Sequence, residues 1–366
     1  MNRAGVLSAL LAMALPAGAA AQRAASLGGG GFWETYRFSS PEALEIESLS
    51  LVTVPVTWQA STGRLRLRLA GAWAHGSLAR ADGTESNVSG LTDTELSVQY
   101  EVRPNMATLT AVVLLPTGKE TLTYDEVFVA GAIAADLLPF RITNWGTGGG
   151  AGVQLAVTRP IGGFAAGVSA GYVVARTFEP LTDETFEYRP GNQFHVRAAV
   201  DHVIGRSAKA AVQAGYERFG ADQGDGQNLF QSGDRWHVTA SLDFAAGNAN
   251  GVAYAGWSRR GEGDFAEPQV FLPPQQVAFA GIALRSPLGR SVLQPSAELR
   301  LLDSDAIDRR GYTAGLGAAW ELPAGSTQVI PSVKARFGRV EARDAAATGF
   351  TGAELGVAIR FGGVPR

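Results

Sequence analysis

The chain has 366 residues, of which 18% are charged and 46 are glycine, and it contains no cysteine. A formal net charge of -3 and a pI near 5.9 leave no basic footprint for nucleic acid, and the lack of cysteine excludes disulfide frameworks, thiol catalysis and cysteine–zinc sites. A mean hydropathy of +0.03 is too polar for a bundle of membrane helices, so a glycine-rich, weakly charged chain of this size points to a large β structure.

Residues 1–21 read as a secretory leader. Arg3 gives a positive start, Val6 to Leu15 is a short apolar run, and Ala19-Ala20-Ala21 precedes Gln22. The run is too short for a spanning helix, and no later stretch of about 18 apolar residues occurs. Residues 22–44 form an N-terminal segment in which Phe32 to Phe38 is the candidate first strand. From 45 to 361 the pattern is that of one long β domain, with 362–366 as a tail.

Val52, Val54, Val56 and Trp58 share one parity, and Thr53, Thr57 and Gln59 share the other. Pro55 cannot donate to a sheet ladder, which predicts a bulge or local opening. Next comes Arg64-Leu65-Arg66-Leu67-Arg68-Leu69, with arginines on one side and leucines, joined by Trp73, on the other. A soluble sandwich would bury those leucines; a transmembrane barrel would turn them to lipid and the arginines to a wet lumen. A polar loop is expected around His75 to Gly90, followed by Leu96, Val98, Tyr100 and Val102 alternating with Glu95, Ser97, Gln99 and Glu101. Met106 to Leu115 is the next strand.

The longest connection, 117–150, is no ordinary hairpin loop. Tyr124 to Leu138 reads as a short helix ended by Pro139. The segment is either a loop folded into the mouth or lumen that gates it, with Lys119, Tyr124, Phe128, Asp136 and Trp145 as gating candidates, or an outer cap on the rim.

Beyond it, strand pairs joined by short turns recur. Val153, Leu155 and Val157 lead to Phe164, Val168, Tyr172 and Val174; Phe194, Val196 and Val200 alternate with His195, Arg197 and Asp201. Trp236, Val238 and Leu242 alternate with His237, Thr239, Ser241 and Asp243, and Val252, Tyr254, Val277 and Phe279 carry the apolar positions of the next two strands. Leu299, Trp320, Val333 and Phe361 mark the last four. Short turns alternate with long loops, the asymmetry of a transmembrane antiparallel up-and-down β-barrel. Counting by parity gives sixteen strands, or fourteen if residues 22–60 are partly plug. Tyr100, Phe164, Trp320 and Phe361 sit near strand ends, as interfacial girdles require.

In such a barrel Arg64, Arg66 and Arg68 face Glu95, Gln99 and Glu101 across one lumen wall, as a salt-bridge network or as an anion-selective constriction. His195, Arg197 and His237 are further lumen candidates. Four histidines so scattered suggest no metal site, and nothing local sets the distances a nucleophile, base and acid need. Gly148-Gly149-Gly150 does not open a helix after a buried strand, so phosphate binding is not supported. No cofactor is expected.

Glu354-x-Gly356-x-x-Ile359-x-Phe361 resembles the C-terminal signal by which outer-membrane barrels are recognised by the barrel-assembly machinery, with Gly362 to Arg366 following where that family usually ends. Leu115-Pro116-Thr117-Gly118-Lys119 and Asn144-Trp145-Gly146-Thr147-Gly148 resemble the barrel family of meta-pathway phenol degradation, related in outline to channels of the fatty-acid-transporter type. These resemblances imply a bacterial outer-membrane channel in contact with membrane lipids, passing small solutes by diffusion, with apolar or aromatic compounds among the candidates. The alternatives are a lipid- or peptide-cleaving barrel enzyme and an adhesion or structural barrel.

Overall fold

The computed structural model describes residues 24–267, 271–304, 309–341 and 347–362; the leader reading and all of the tail but Gly362 lie outside them. Sixteen antiparallel strands close into one barrel. They are β1 (Ala24–Phe38), β2 (Ile46–Thr62), β3 (Leu65–Arg80), β4 in two segments (Glu85–Leu91 and Thr94–Arg103), β5 (Ala107–Leu115), β6 (Gly150–Ile161), β7 (Phe164–Ala175) and β8 (Gln193–Ile204). The second half comprises β9 (Ala208–Phe219), β10 (Arg235–Ala246), β11 (Ala249–Arg260), β12 (Gln275–Leu288), β13 (Ser291–Ser304), β14 (Arg309–Ala324), β15 (Thr327–Glu341) and β16 (Thr348–Phe361). Each strand pairs with its neighbours, and β1 closes the ring on β16 from Leu27↔Phe361 to Phe38↔Phe350. Closure leaves no unpaired edge, the condition a strand protein must meet to cross lipid.

The outer face carries the apolar parity. Val153, Leu155, Val168, Val212, Leu316 and Val333 are all exposed there, which in a membrane is contact with acyl chains. Aromatics ring both ends of that band. Tyr100, Phe164, Trp320 and Phe361 lie outward at the end with short turns, while Tyr172, Phe194, Trp236, Tyr312 and Phe337 lie outward toward the end with long loops. Eight residues separate Phe164 from Tyr172 and Tyr312 from Trp320, about 26 Å along a tilted strand and comparable with the apolar band of outer-membrane barrels.

Several local expectations are corrected. The first strand begins at Ala24 rather than Phe32. His75 to Gly90 is not a polar loop but the upper parts of β3 and β4, paired from Trp73↔Leu91 to Ala79↔Glu85. The pattern inverts there: Ala74, Leu78 and Val88 are buried inside, while His75 and Ser77 take the other parity, outward. Pro55 pairs in register with Ala72 of β3, and the bulge lies instead between Ile46 and Ser48. On its other side the β1–β2 ladder steps from Gly29↔Val56 to Phe32↔Thr53, an opening beside the proline. Val252, Tyr254, Val277 and Phe279 also depart from expectation. They are cross-strand partners of Asp243, Ser241, Ser258 and Gly256 on the lumen parity, so they face inward.

At the loop end, Tyr188–Arg189, Ala221–Gly224, Gln227–Gln231, Gly263–Phe265 and Phe271–Leu272 form a small sheet that ties three successive loops together.

Candidate functional site

The segment between β5 and β6 decides what the lumen is. Helix α1 (Tyr124–Ile133) starts at a capping box, Thr123 Oγ1 accepting from Glu126 N and Glu126 Oε2 accepting from Thr123 N. It ends at Ile133, short of Pro139, and Leu137, Leu138 and Phe140 continue as buried loop. The segment leaves the wall between the fifth and sixth strands yet touches strands on the far side. Leu137 O accepts from Thr313 of β14 at 2.9 Å, Asp136 O accepts from Arg300 of β13 at 2.6 Å, and Arg141 N donates to Glu34 of β1 at 3.1 Å. A segment that begins on one wall and bonds to the opposite one crosses the lumen.

It is fastened at both ends. At its root the Asp93 carboxylate, in the break between the segments of β4, accepts from Gly118 N, Thr147 N and Thr147 Oγ1 at 2.8–3.1 Å. The Leu115–Lys119 and Asn144–Gly148 motifs are thus the two arms of one clasp. Trp145 is buried, with Nε1 donating to Ala74 O at 3.1 Å, and its ring and Ile133 crowd Gly76, where a Cβ would strike Ile133. Tyr36, Leu49, Leu51, Leu78, Val88, Val129 and Ile133 pack with it as an apolar core inside the upper barrel.

At the tip, buried charges take over. Glu34 and Glu354 are direct cross-strand partners, a repulsive placement relieved by two arginines. Arg336 reaches Glu354 at 2.8 Å, Glu298 at 3.3 Å and Glu34 at 3.6 Å, while Arg141 of the crossing segment pairs with Glu354 and lies 3.8 Å over the Phe32 ring. Lys334 adds a 2.9 Å pair to Glu298. Three carboxylates thus meet three cations, and removal of one would unbalance the charge of a largely buried network.

The gating candidates fall into two groups. Lys119 pairs with Glu126, Asp136 accepts from Gln275 Nε2 at 2.5 Å, and Trp145 is an anchor. Tyr124 and Phe128 are exposed; the first donates to Glu184 and the second lies under Arg80 at 5.0 Å.

Lower on the wall, Arg66 reaches Glu101 at 3.2 Å and Arg68 reaches Glu95 at 2.5 Å, with Gln99 directly opposite Arg66. Arg64, at the turn end, has no carboxylate partner among the described residues. Glu354 and Gly356 face the lumen, where a Cβ on Gly356 would strike Phe32, while Ile359 and Phe361 face outward.

The wall from β6 to β10 is different. Its inward positions are small: Ala165, Gly167, Ala199, Ala211, Thr239 and Ser241 border a cavity of about 220 Å³. Larger side chains lie flat over glycines of the next strand. The His195 ring occupies the space of a Cβ on Gly171, and His237 that of a Cβ on Gly215. Arg197 pairs with Glu217 and Lys209 with Asp201. Among the described residues no histidine hydrogen-bonds to a serine or a carboxylate, and no cluster of metal-ligating side chains occurs.

No family model matches the chain, and no curated protein matches it. Solved structures do, and they are outer-membrane porins and channels. OprB of Pseudomonas putida aligns at a TM-score of 0.52 with 9% identity, over 98% of this chain and 97% of that one. The anion-selective porin from Comamonas acidovorans aligns at 0.46 with 16% identity, over 93% and 100%. The channel DcaP of Acinetobacter baumannii aligns at 0.45 with 11% identity, over 94% and 100%. At these identities the likeness is one of fold.

Proposed function

We propose that this chain is an outer-membrane channel for passive diffusion of small solutes, narrowed by the segment that crosses its lumen. The observation that carries this reading is the division of the lumen: the crossing segment fills the side against β12–β16 and β1–β4, and small side chains leave space along β6–β10. Clasps at both root and tip favour a fixed constriction over a swinging gate. Exposed Tyr124, Val127 and Phe128 on α1, with Tyr254 and Phe279 on the lumen wall, offer contact to solutes with an apolar or aromatic body. The phenol-pathway resemblance, carried by the two arms of the root clasp, agrees with that preference.

A barrel hydrolase is disfavoured because His195 and His237 each rest on a glycine, and Glu217, the carboxylate directly opposite His195 in register, is engaged by Arg197. Ile359 and Phe361, on the outer face of the closing strand, suit recognition by the assembly machinery. Deletion of Thr121 to Phe140 tests the channel reading: single-channel conductance in planar bilayers is expected to rise severalfold, and an unchanged conductance would remove the constriction from the account.

A further inference from the structure

We propose, building on the channel reading, that Arg235, Arg260 and Arg300 form a subsite for the carboxylate of a small solute at the loop end of the open passage. Arg235 of β10 and Arg260 of β11 are direct cross-strand partners, and Arg260 faces Gln275 of β12 on its other side. Gln275 in turn touches the tip of the crossing segment through Asp136, which places the group in the lumen. Like charges directly opposite one another destabilise a sheet. Elsewhere on this wall charges on neighbouring strands pair diagonally with opposite sign, as in Arg197 with Glu217 and Lys209 with Asp201.

Here the cations are not ion-paired: Glu217 stands directly opposite Arg235 on the β9 side but is engaged by Arg197. Among the described residues none of the three arginines has a carboxylate within ion-pair distance. Arg235 lies 4.9 Å over the Phe219 ring. Arg260 gives Nη2 to two neutral oxygens, Pro273 O and Gln275 Oε1, each at 3.4 Å, and its Nε is shut from water without a partner. Arg300 gives Nη1 to the backbone oxygen of Asp136, whose carboxylate is held by Gln275. An unbridged cation pair is costly, and an arriving oxyanion would relieve it.

The planar guanidinium fork matches a planar carboxylate two-toothed. The body of the solute has a surface as well. Phe279 is the cross-strand partner of Arg300, and its ring lies 6.4 Å from that of Tyr254, next along the passage. An aromatic carboxylate would thus meet charge first and rings second.

The probe is sodium benzoate, added to the purified full chain in planar bilayers, with block of the potassium chloride current as the readout. Benzoate is expected to block the native channel in a saturable way. The double variant Arg235→Gln/Arg260→Gln should shift the reversal potential toward cations while the half-blocking concentration, measured against the variant's own unblocked current, rises about tenfold, the loss of a charge-assisted contact. Arg260→Lys keeps charge but not the fork and should weaken block about threefold; it also carries the test if the double variant does not fold. Arg37→Gln, at an outward position paired with Glu47, should leave block unchanged. Equal block in native and double variant would overturn the subsite. Equal block by inorganic phosphate, lost in the same variants, would overturn the carboxylate assignment. If the native protein forms no channel, the channel reading fails, and calorimetric titration of benzoate into the native protein and the double variant in detergent then decides the subsite by itself.

Discussion

Two walls of one barrel solve the same covalent problem in opposite ways. From β12 through β16 to β4 the lumen face is large and charged or apolar, and it is buried under the crossing segment: Glu34, Tyr36, Arg336 and Glu354 are each nearly or fully closed to water. From β6 to β10 the lumen face is rich in Ala, Gly, Ser and Thr, with His195 and His237 laid over glycines and a few surface-like ion pairs. The first wall behaves as a protein interior, the second as a solvated surface. A long loop needs a partner wall that will bind it, and a passage needs one that will not. Glycine serves both, admitting Ile133 and Trp145 over Gly76 on one side and flattening His195 over Gly171 on the other.

Loss of the clasp should break this contrast most severely. Glu354→Ala takes from Arg141 its carboxylate partner and from Arg336 its shortest ion pair, leaving Glu34 and Glu298, and breaking such a buried network costs roughly 3–5 kcal/mol; thermal unfolding in detergent should fall sharply and open-channel noise should rise. Next is Gly171→Leu, which pushes the His195 ring off its seat. Overpacking of this kind costs about 1–3 kcal/mol, and conductance should drop because the displaced ring enters the open side. Trp145→Phe keeps the anchor's bulk but removes its bond to Ala74 O, a loss of about 1 kcal/mol readable as a modest fall in melting temperature. Arg68→Gln should be mildest. Its pair with Glu95 is solvent-exposed and worth at most about 1 kcal/mol, so stability should barely change while the reversal potential shifts toward cations.

The second wall was legible in the sequence and the first was not. Alternation such as Trp236, Val238 and Leu242 against His237, Thr239 and Ser241 is what lipid outside and water inside impose on each strand separately. The Arg66 and Arg68 neighbours could also be named, because consecutive antiparallel strands lie side by side and charges on one face of such a pair meet across it. Above Trp73 the rule inverts, since Ala74, Leu78 and Val88 pack on the crossing segment while the alternate residues leave the membrane; read locally, that stretch resembles a polar loop. Tyr254 and Phe279 misled for a related reason: aromatic side chains on the lumen face look like lipid contacts until pairing with Ser241 and Arg300 sets their side. The tip clasp had no local signal at all. Glu34, Arg141, Glu298, Arg336 and Glu354 stand far apart in the chain and meet only when β1 closes on β16 and the segment crosses. Asp93 left a trace, the interruption of alternation at Thr92-Asp93, whose meaning required the two arms it holds.

Because the chain has no cysteine, a single introduced thiol reports its own position without background. The most direct test of the divided lumen compares Ala199→Cys and Ser241→Cys on the open wall with Thr313→Cys under the crossing segment, each treated in bilayers with a charged, water-soluble thiol reagent. The account predicts rapid modification and a stepwise fall in conductance for the first two and no change for the third. Modification of the Thr313 position with current loss, while the open-wall positions stay silent, would contradict it.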